Sequence, residues 1–431
     1  MGRPYDGGPS PSGPCRRASV HRVLNAGSCT GRPPHPARTR LDGPMTTTPV
    51  IRLKEPRDLL AVVPYRLGFH PTDSVVVIAT HRTARGTTEL GLTARMDLAD
   101  LAHAGHGRAA AEHLAHHLRT QAPHGVLAVL YTDVEGRARH GNGRLARAAA
   151  HLADALEHEI EPWVVGADGW GHLEPCACCP PGGHPLTDLT SSAAAAGMVV
   201  EGMTAAPRRE DLAVVRLAPG SRTTSARRAA RKERLRRREV GKVCGGAPLV
   251  RGAAFGAPGA TPAEDQRPLL GWRADGADLW DEAVRTVGDG GTPPAGTLGR
   301  LLAFLEDRIV RDAVVAATMA GVEDATARFL DPELIGTTFD CPFLPRAEVL
   351  HRTIALAATV AAHSPPGEGA PALGLLAFVA WWGNDGARAD VVAGQALAEE
   401  PGHRLAELVV GALDAGMPPM WAGAPGGTLA S

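Results

Sequence analysis

The segment Pro175–Leu186, PCACCPPGGHPL, is the best metal candidate in the sequence. Cys176 and Cys179 have the C-x2-C spacing by which one turn presents two thiolates to a zinc ion, and Cys178, His172 and His184 are nearby. A closed zinc site takes four ligands in near-tetrahedral array, and no second C-x2-C half is present. Reduced thiols in a Pro/Gly turn are the competing reading. Adjacent Cys178 and Cys179 also keep a redox reading, because neighbouring cysteines can close a strained, reducible disulfide. Zinc is the one cofactor these donors suggest.

Other groupings read as structural. His113 and His117 stand one helical turn apart with His116 beside them, after His103 and His106. The order EHLAHH lacks the H-E-x-x-H arrangement that adds a general base to two metal ligands, and Leu114 and Leu118 claim the inner face. These histidines are expected at the helix edge or in solvent. His70, Asp73 and Ser74 lie within five positions on one turn, whereas a working triad draws its members from separate elements. Asp73 and Ser74 are expected to shape the turn before a strand. Asp133 should end a strand at its carboxyl edge, where open α/β sheets gather ligands, and Asp97 has a similar place on its own strand. Neither G-x-G-x-x-G nor G-x-x-x-x-G-K-[ST] occurs, which excludes nucleotide binding through those loops.

Arg222–Arg238, RTTSARRAARKERLRRR, contains nine Lys/Arg residues and one acid, Glu233. Such a helix could dock on phosphates. Without interleaved aromatics, it reads first as a solvated helix resting on an acidic patch of its own protein. Trp381 and Trp382 are neighbours about 100° apart on a helix, which reads as a division between core and surface or, no less well, as core packing for both.

The elements that position these residues follow from periodicity. Ser74–Ala79, Glu89–Leu98, Gly125–Tyr131 and Pro162–Gly166 read as strands, with helices over Arg108–Thr120 and Arg144–Glu159 between them. Strands alternating with helices predict a mixed or parallel sheet with helices packed on it. After Pro219 the strands stop, and a Gly/Ala/Pro-rich stretch to about Pro268 leads to helices. Leu298, Leu302, Leu305 and Ile309 form one helical face, with Thr297 as its N-cap and Gly321 as its stop. Ala372–Gly416 reads as three helices joined by short turns and resembles one tetratricopeptide-type hairpin unit. No such period repeats elsewhere, so a helical bundle is expected. The predicted organisation is an α/β domain over 45–220, a basic helix and linker over 221–268, and an all-α helical domain over 269–425. Residues 1–44, rich in Pro, Gly and Arg, are expected to be a disordered tail or to precede a true start at Met45.

The net charge of -1 gives the molecule as a whole no bias toward nucleic acid or membrane. The longest apolar run, Leu373 to Trp382, is too short to cross a bilayer. Seven irregularly spaced cysteines make a poor disulfide framework, so a cytoplasmic location is expected.

Two segments are distinctive together: LLAVVPYRLGFHPTDSVVVIA (Leu59–Ala79) and the run Ala377–Pro419, beginning AFVAWWGNDGARADVV. Between them lie PCACCPPGGHPL and AAGMVVEGMTAAPRREDLA (Ala195–Ala213). In this order they resemble the actinobacterial domain of unknown function 4192 family, from about Arg52 to Pro419. The resemblance implies a soluble bacterial protein and carries over no catalytic or ligand-binding residue. The functional expectation is a non-enzymatic interaction or regulatory protein, with a protein-docking surface on the helical half. The alternatives are a hydrolytic or redox enzyme with its site at the strand ends or the cysteine cluster, and a nucleic-acid-binding protein acting through Arg222–Arg238.

Overall fold

The computed structural model describes residues 53–423 other than 54, 83–86, 121, 136–137, 157–159, 244–265 and 342. The expectations for residues 1–44, for Cys15, Cys29 and Cys244, and for most of the stretch before Pro268 lie outside these residues. From Thr48 onward the chain forms one unit that holds both the sheet and the helices.

Strand β1 (Ser74–Arg82) lies between β2 (Thr88–Asp97) and β3 (Gly125–Tyr131), antiparallel to both. β4 (Trp163–Val165) pairs parallel with β3, and β5 (Gly169–His172) and β6 (His184–Pro185) extend the edge antiparallel. The sheet is therefore mixed, in the order β2-β1-β3-β4-β5-β6. Every residue of β1 from Ser74 to Thr80 is buried, because both faces are covered. Helix α1 (Pro56–Leu67) covers one face, where Val76 and Ile78 meet Leu60 and Val63. Helices α2 (Leu98–Leu101), α3 (Gly107–Thr120) and α4 (Gly143–Leu156) cover the other, where Val75 and Val77 meet Leu114, Leu118, Leu145 and Leu152. The single parallel pair needs a crossover connection, and α4 lies within it. After β6 come α5 (Thr187–Thr190) and α6 (Ala193–Val200), whose Ala194 and Met198 pack on Val62 of α1.

The chain then crosses to the helices as an extended strap. Leu217 N–H donates to Ala362 O (2.9 Å), and Gln395 both accepts from Val214 N–H (2.8 Å) and donates to its carbonyl (3.2 Å). Arg216 donates to Ser364 O (2.7 Å) and pairs with Glu399. Beyond it lie α7 (Ser221–Val243), α8 (Arg267–Gly288), α9 (Ala295–Leu305), α10 (Arg308–Met319), α11 (Pro332–Phe339), α12 (Ala347–His363), α13 (Ala370–Trp382), α14 (Gly386–Glu399) and α15 (Arg404–Asp414). α13 is apolar on every side and sits at the centre, as such helices must. Trp280, Leu302, Leu356, Leu376 and Trp382 join in its core. No helix among the described residues is long and apolar enough to cross a membrane.

Two details of the expected helices change. Leu298 and Ile309 do not share a helix: α9 ends at Leu305, and Asp307 starts α10 by accepting from the N–H groups of Ile309 (3.0 Å) and Val310 (3.4 Å). Thr297 lies inside α9 rather than at its cap, because Pro294 occupies the cap position. Gly321, at φ 63°, does lie just beyond α10 and turns the chain.

His403 caps α15 with its Nδ1, which accepts from Ala406 N–H (3.4 Å) and so must be unprotonated. Burial holds this imidazole below its ordinary value; Glu400 opposes that shift, Arg311 adds to it, and Glu407 opposes it. The unfolded chain therefore takes up the proton more readily, and stability is lost as pH falls below about 6.5. We expect urea midpoints to decline between about pH 7 and pH 5. His403→Asn, which keeps a capping oxygen but does not titrate, should decline less.

Candidate functional site

Helix α7 divides its cations between two roles. At 100° per residue, Ala226, Ala230 and Glu233 fall on one side, and all three are buried. Ala226 and Ala230 let α7 lie close on α9, where a Cβ on Gly299 would come within 2.0 Å of Ala226 O. Glu233 sits beneath the helix and accepts from Trp272 Nε1 (2.8 Å) and Arg300 Nε (2.9 Å). The cations flanking this side are held by acids outside α7: Arg234 by Glu306 and Glu368, Arg236 by Asp275, and Arg237 by Asp307. The expected acidic patch is thus real for these three.

The opposite side differs. Arg227, Arg228, Arg231, Lys232 and Arg238 fan over it, all exposed, and none has an acidic partner among the described residues. Arg222 is exposed in the first turn. From Arg227 to Arg238 the strip runs about 17 Å. The only large apolar side chain exposed between them is Leu235.

The cysteine loop joins β5 to β6. Cys176 and Cys178 approach to 2.6 Å between sulfurs, and Cys178 and Cys179 to 3.9 Å. The hydrogen bond between the first two pulls the Cys176 thiol below its ordinary value and pushes Cys178 up to about 12. His172, Cys176 and Cys178 bring their ligand atoms within 4.8 Å of one another. His184 lies apart on β6, stacked on Trp170 at 4.5 Å. The pair that meets most closely is thus C-x-C, not the C-x2-C pair that spacing suggests.

The remaining groups are engaged otherwise. Ser74 is buried, donates to Thr72 O (2.6 Å) and accepts from Arg95 Nε (2.8 Å), so no base reaches it. Asp73 adopts φ 47° and binds Arg144 through both oxygens (3.1 and 2.9 Å), while His70 is exposed. The register places Ser74 between Asp97 and Tyr131, so Asp97 and the Asp133 turn share one end of the sheet. Asp97 pairs there with Arg95, and both aspartates are exposed. His113 and His116 are exposed and His117 half-buried, with 3.2 Å between the Nε2 atoms of His113 and His117. Burial, then His113 and His116, lower the His117 imidazole. Trp382 is buried, whereas half-buried Trp381 donates to Met417 O (3.1 Å). A cleft of about 720 Å³ beneath the strap has Gly68, Asp211, Leu376 and Arg388 in its walls. Its charges are already spent on neighbours, Asp211 on Arg208 and Arg388 on Asp385.

Residues 56–420 match the family model described as a domain of unknown function (DUF4192), which spans the fold from α1 to the Met420 turn. The chain belongs to the DUF4192 family. Comparison with curated proteins and with solved structures returns no match. The match takes in both the sheet and the helices of this DUF4192 protein, including α7 and the cysteine loop. It also covers the LGFHPTDS opening, whose residue types the fold explains. Gly68 takes φ 77° to end α1, Phe69 is buried, Asp73 makes the left-handed turn, and Ser74 opens β1.

Proposed function

We propose that this DUF4192 protein is a non-enzymatic, cytoplasmic interaction protein that docks the phosphate backbone of a nucleic acid on the outer side of α7. The supporting observation is the division of the helix: its inner side is fastened by buried Glu233 and by the ion pairs of Arg234, Arg236 and Arg237, while its outer cations face solvent without an acidic partner among the described residues. Cations without an acidic partner meet phosphates without first breaking an ion pair, and release counterions when they do. A protein partner is less well served, because the strip has no aromatic anchor of the kind that dominates such interfaces. Leu408, Met417 and Met420 are the large exposed apolar side chains of the Ala372–Gly423 region, and none of them is aromatic.

Binding to fluorescent mixed-sequence duplex and single-stranded DNA and RNA, followed by anisotropy across salt concentration, tests the proposal. The full chain should bind at low salt with a steep salt slope. Arg227→Ala/Arg228→Ala/Arg231→Ala/Lys232→Ala should weaken binding more than tenfold and reduce the slope by roughly 3. Alanine keeps the helix intact. Removing four cations elsewhere, at Arg57, Arg108, Arg285 and Arg404, should change affinity far less. Equal losses from both variants would reduce the effect to net charge and overturn the proposal. So would capture of an acidic protein by the native chain, but not by the α7 variant, after nuclease digestion.

A further inference from the structure

From the loop between β5 and β6 we infer a structural zinc site, with His172, Cys176 and Cys178 as ligands and Cys179 as the fourth. Donors arrive from two directions: His172 from the end of a strand, and the thiols from the loop that follows. They already converge, since one nitrogen and two sulfurs lie within 4.8 Å of one another. Cys178 and Cys179 stand 3.9 Å apart. Two thiolates on one tetrahedral zinc, each about 2.3 Å from it, are separated by about 3.8 Å. Cys176 lies closer to Cys178, at 2.6 Å, so a bound ion spreads that pair by about 1.2 Å.

The surroundings fit this role. No residue from Glu174 to Gly183 is buried, so the loop has no apolar core of its own. Cysteine is among the most consistently buried residue types, and three half-buried or exposed thiols in four positions call for something other than packing. Both ends of the loop are nevertheless fastened. The His172 ring lies 3.7 Å from Trp163, and buried Arg139 donates to the His172 carbonyl (2.8 Å). Gly183, at φ 81°, donates to Pro180 O (2.8 Å) and turns the chain into β6. That turn needs glycine: a Cβ on Gly183 would meet Trp170 O at 2.8 Å. Among the described residues β6 pairs with the sheet only at Gly169–Pro185 and Trp170–His184, with the His184 ring stacked on Trp170. A zinc ion linking strand end and loop gives this short edge the cross-link that its own packing does not supply. Thiolates with one imidazole select zinc over magnesium or calcium, which take oxygen ligands.

The test uses the full, untagged chain purified with a phosphine reductant and without chelators. Elemental analysis should find about one zinc per chain. After removal of zinc, added cobalt(II) should give thiolate-to-metal charge-transfer absorption. Cys178→Ser and His172→Ala should each weaken cobalt binding more than tenfold, and Cys341→Ser should leave it unchanged. The wild-type cobalt spectrum reports the site even if a variant fails to fold. Absence of the charge-transfer band from the reduced wild type would overturn the inference. A Cys176–Cys178 disulfide without metal uptake would do the same and make the loop a redox pair.

Discussion

Asp307→Ala is expected to lower the unfolding free energy by about 4 kcal/mol, measured by urea denaturation. The Asp307 side chain is 3% exposed and gathers donors from three helices. Arg273 of α8 donates through Nε (3.1 Å) and Nη2 (3.2 Å), and Arg237 of α7 through Nη2 (3.1 Å). The same carboxylate caps α10. Alanine leaves the Arg273 guanidinium, whose side chain is 8% exposed, without its counter-ion. Stranding a buried charge in this way costs about 3–5 kcal/mol, and loss of a cap about 1 kcal/mol. The two losses share one site, so their sum is an upper bound. Asp307→Asn, which can still cap but carries no charge, should cost about half as much. A loss below about 1 kcal/mol for Asp307→Ala would mean that Arg273 finds other solvation, contrary to the packing described.

Gly299→Ala is the second large effect, at about 3 kcal/mol, although alanine is the better helix former. The added Cβ would stand 2.0 Å from Ala226 O and 2.6 Å from its carbonyl carbon, both backbone atoms that no rotamer change can move. α7 must shift away from α9, which strains the contacts of Glu233 with Trp272 and Arg300. Gly394→Ala is the matched control: it lies within exposed α14 surface with nothing within 4 Å of its added Cβ. That substitution should stabilise by up to about 1 kcal/mol. Equal stability of the two variants by urea titration would show that the α7–α9 crossing is looser than its geometry implies. The same shift should disturb the cationic strip, so Gly299→Ala tests how firmly α9 positions α7.

Legibility along the chain followed the range of the interactions involved. Gly125–Tyr131 was readable residue for residue, because a strand covered on both faces is a short apolar run wherever it occurs. α13, α14 and α15 were readable as three helices joined by short turns. β5 and β6 were not: Gly169 and Gly171 carry no strand signal, and they lie against the backbone of Gly182 and His184 and against the Arg139 guanidinium. α1 escaped for the opposite reason, since PRDLLAVVPYRL is buried along most of its length and includes Pro64, which blurs the period. The break at Asp307 was likewise hidden, because apolar spacing runs through it and only the capping bonds show that a helix begins there.

Composition and period, which are local, determined by themselves that a mixed or parallel sheet with helices precedes a helical bundle, that a cationic helix joins them, and that thiols cluster near His172; the strand directions came only with the structure. Only the tertiary structure decided which of the cations are free. Arg234, Arg236 and Arg237 find acids 39 to 134 positions away, and Arg227, Arg228, Arg231 and Lys232 find none among the described residues. It also decided that Cys176 meets Cys178 and His172 while His184 turns to Trp170. The ion pairs of α7 depend on distances between residues far apart in the chain, which exist only once the helices have packed, and the cysteine grouping depends on a loop path fixed by the strands that it joins.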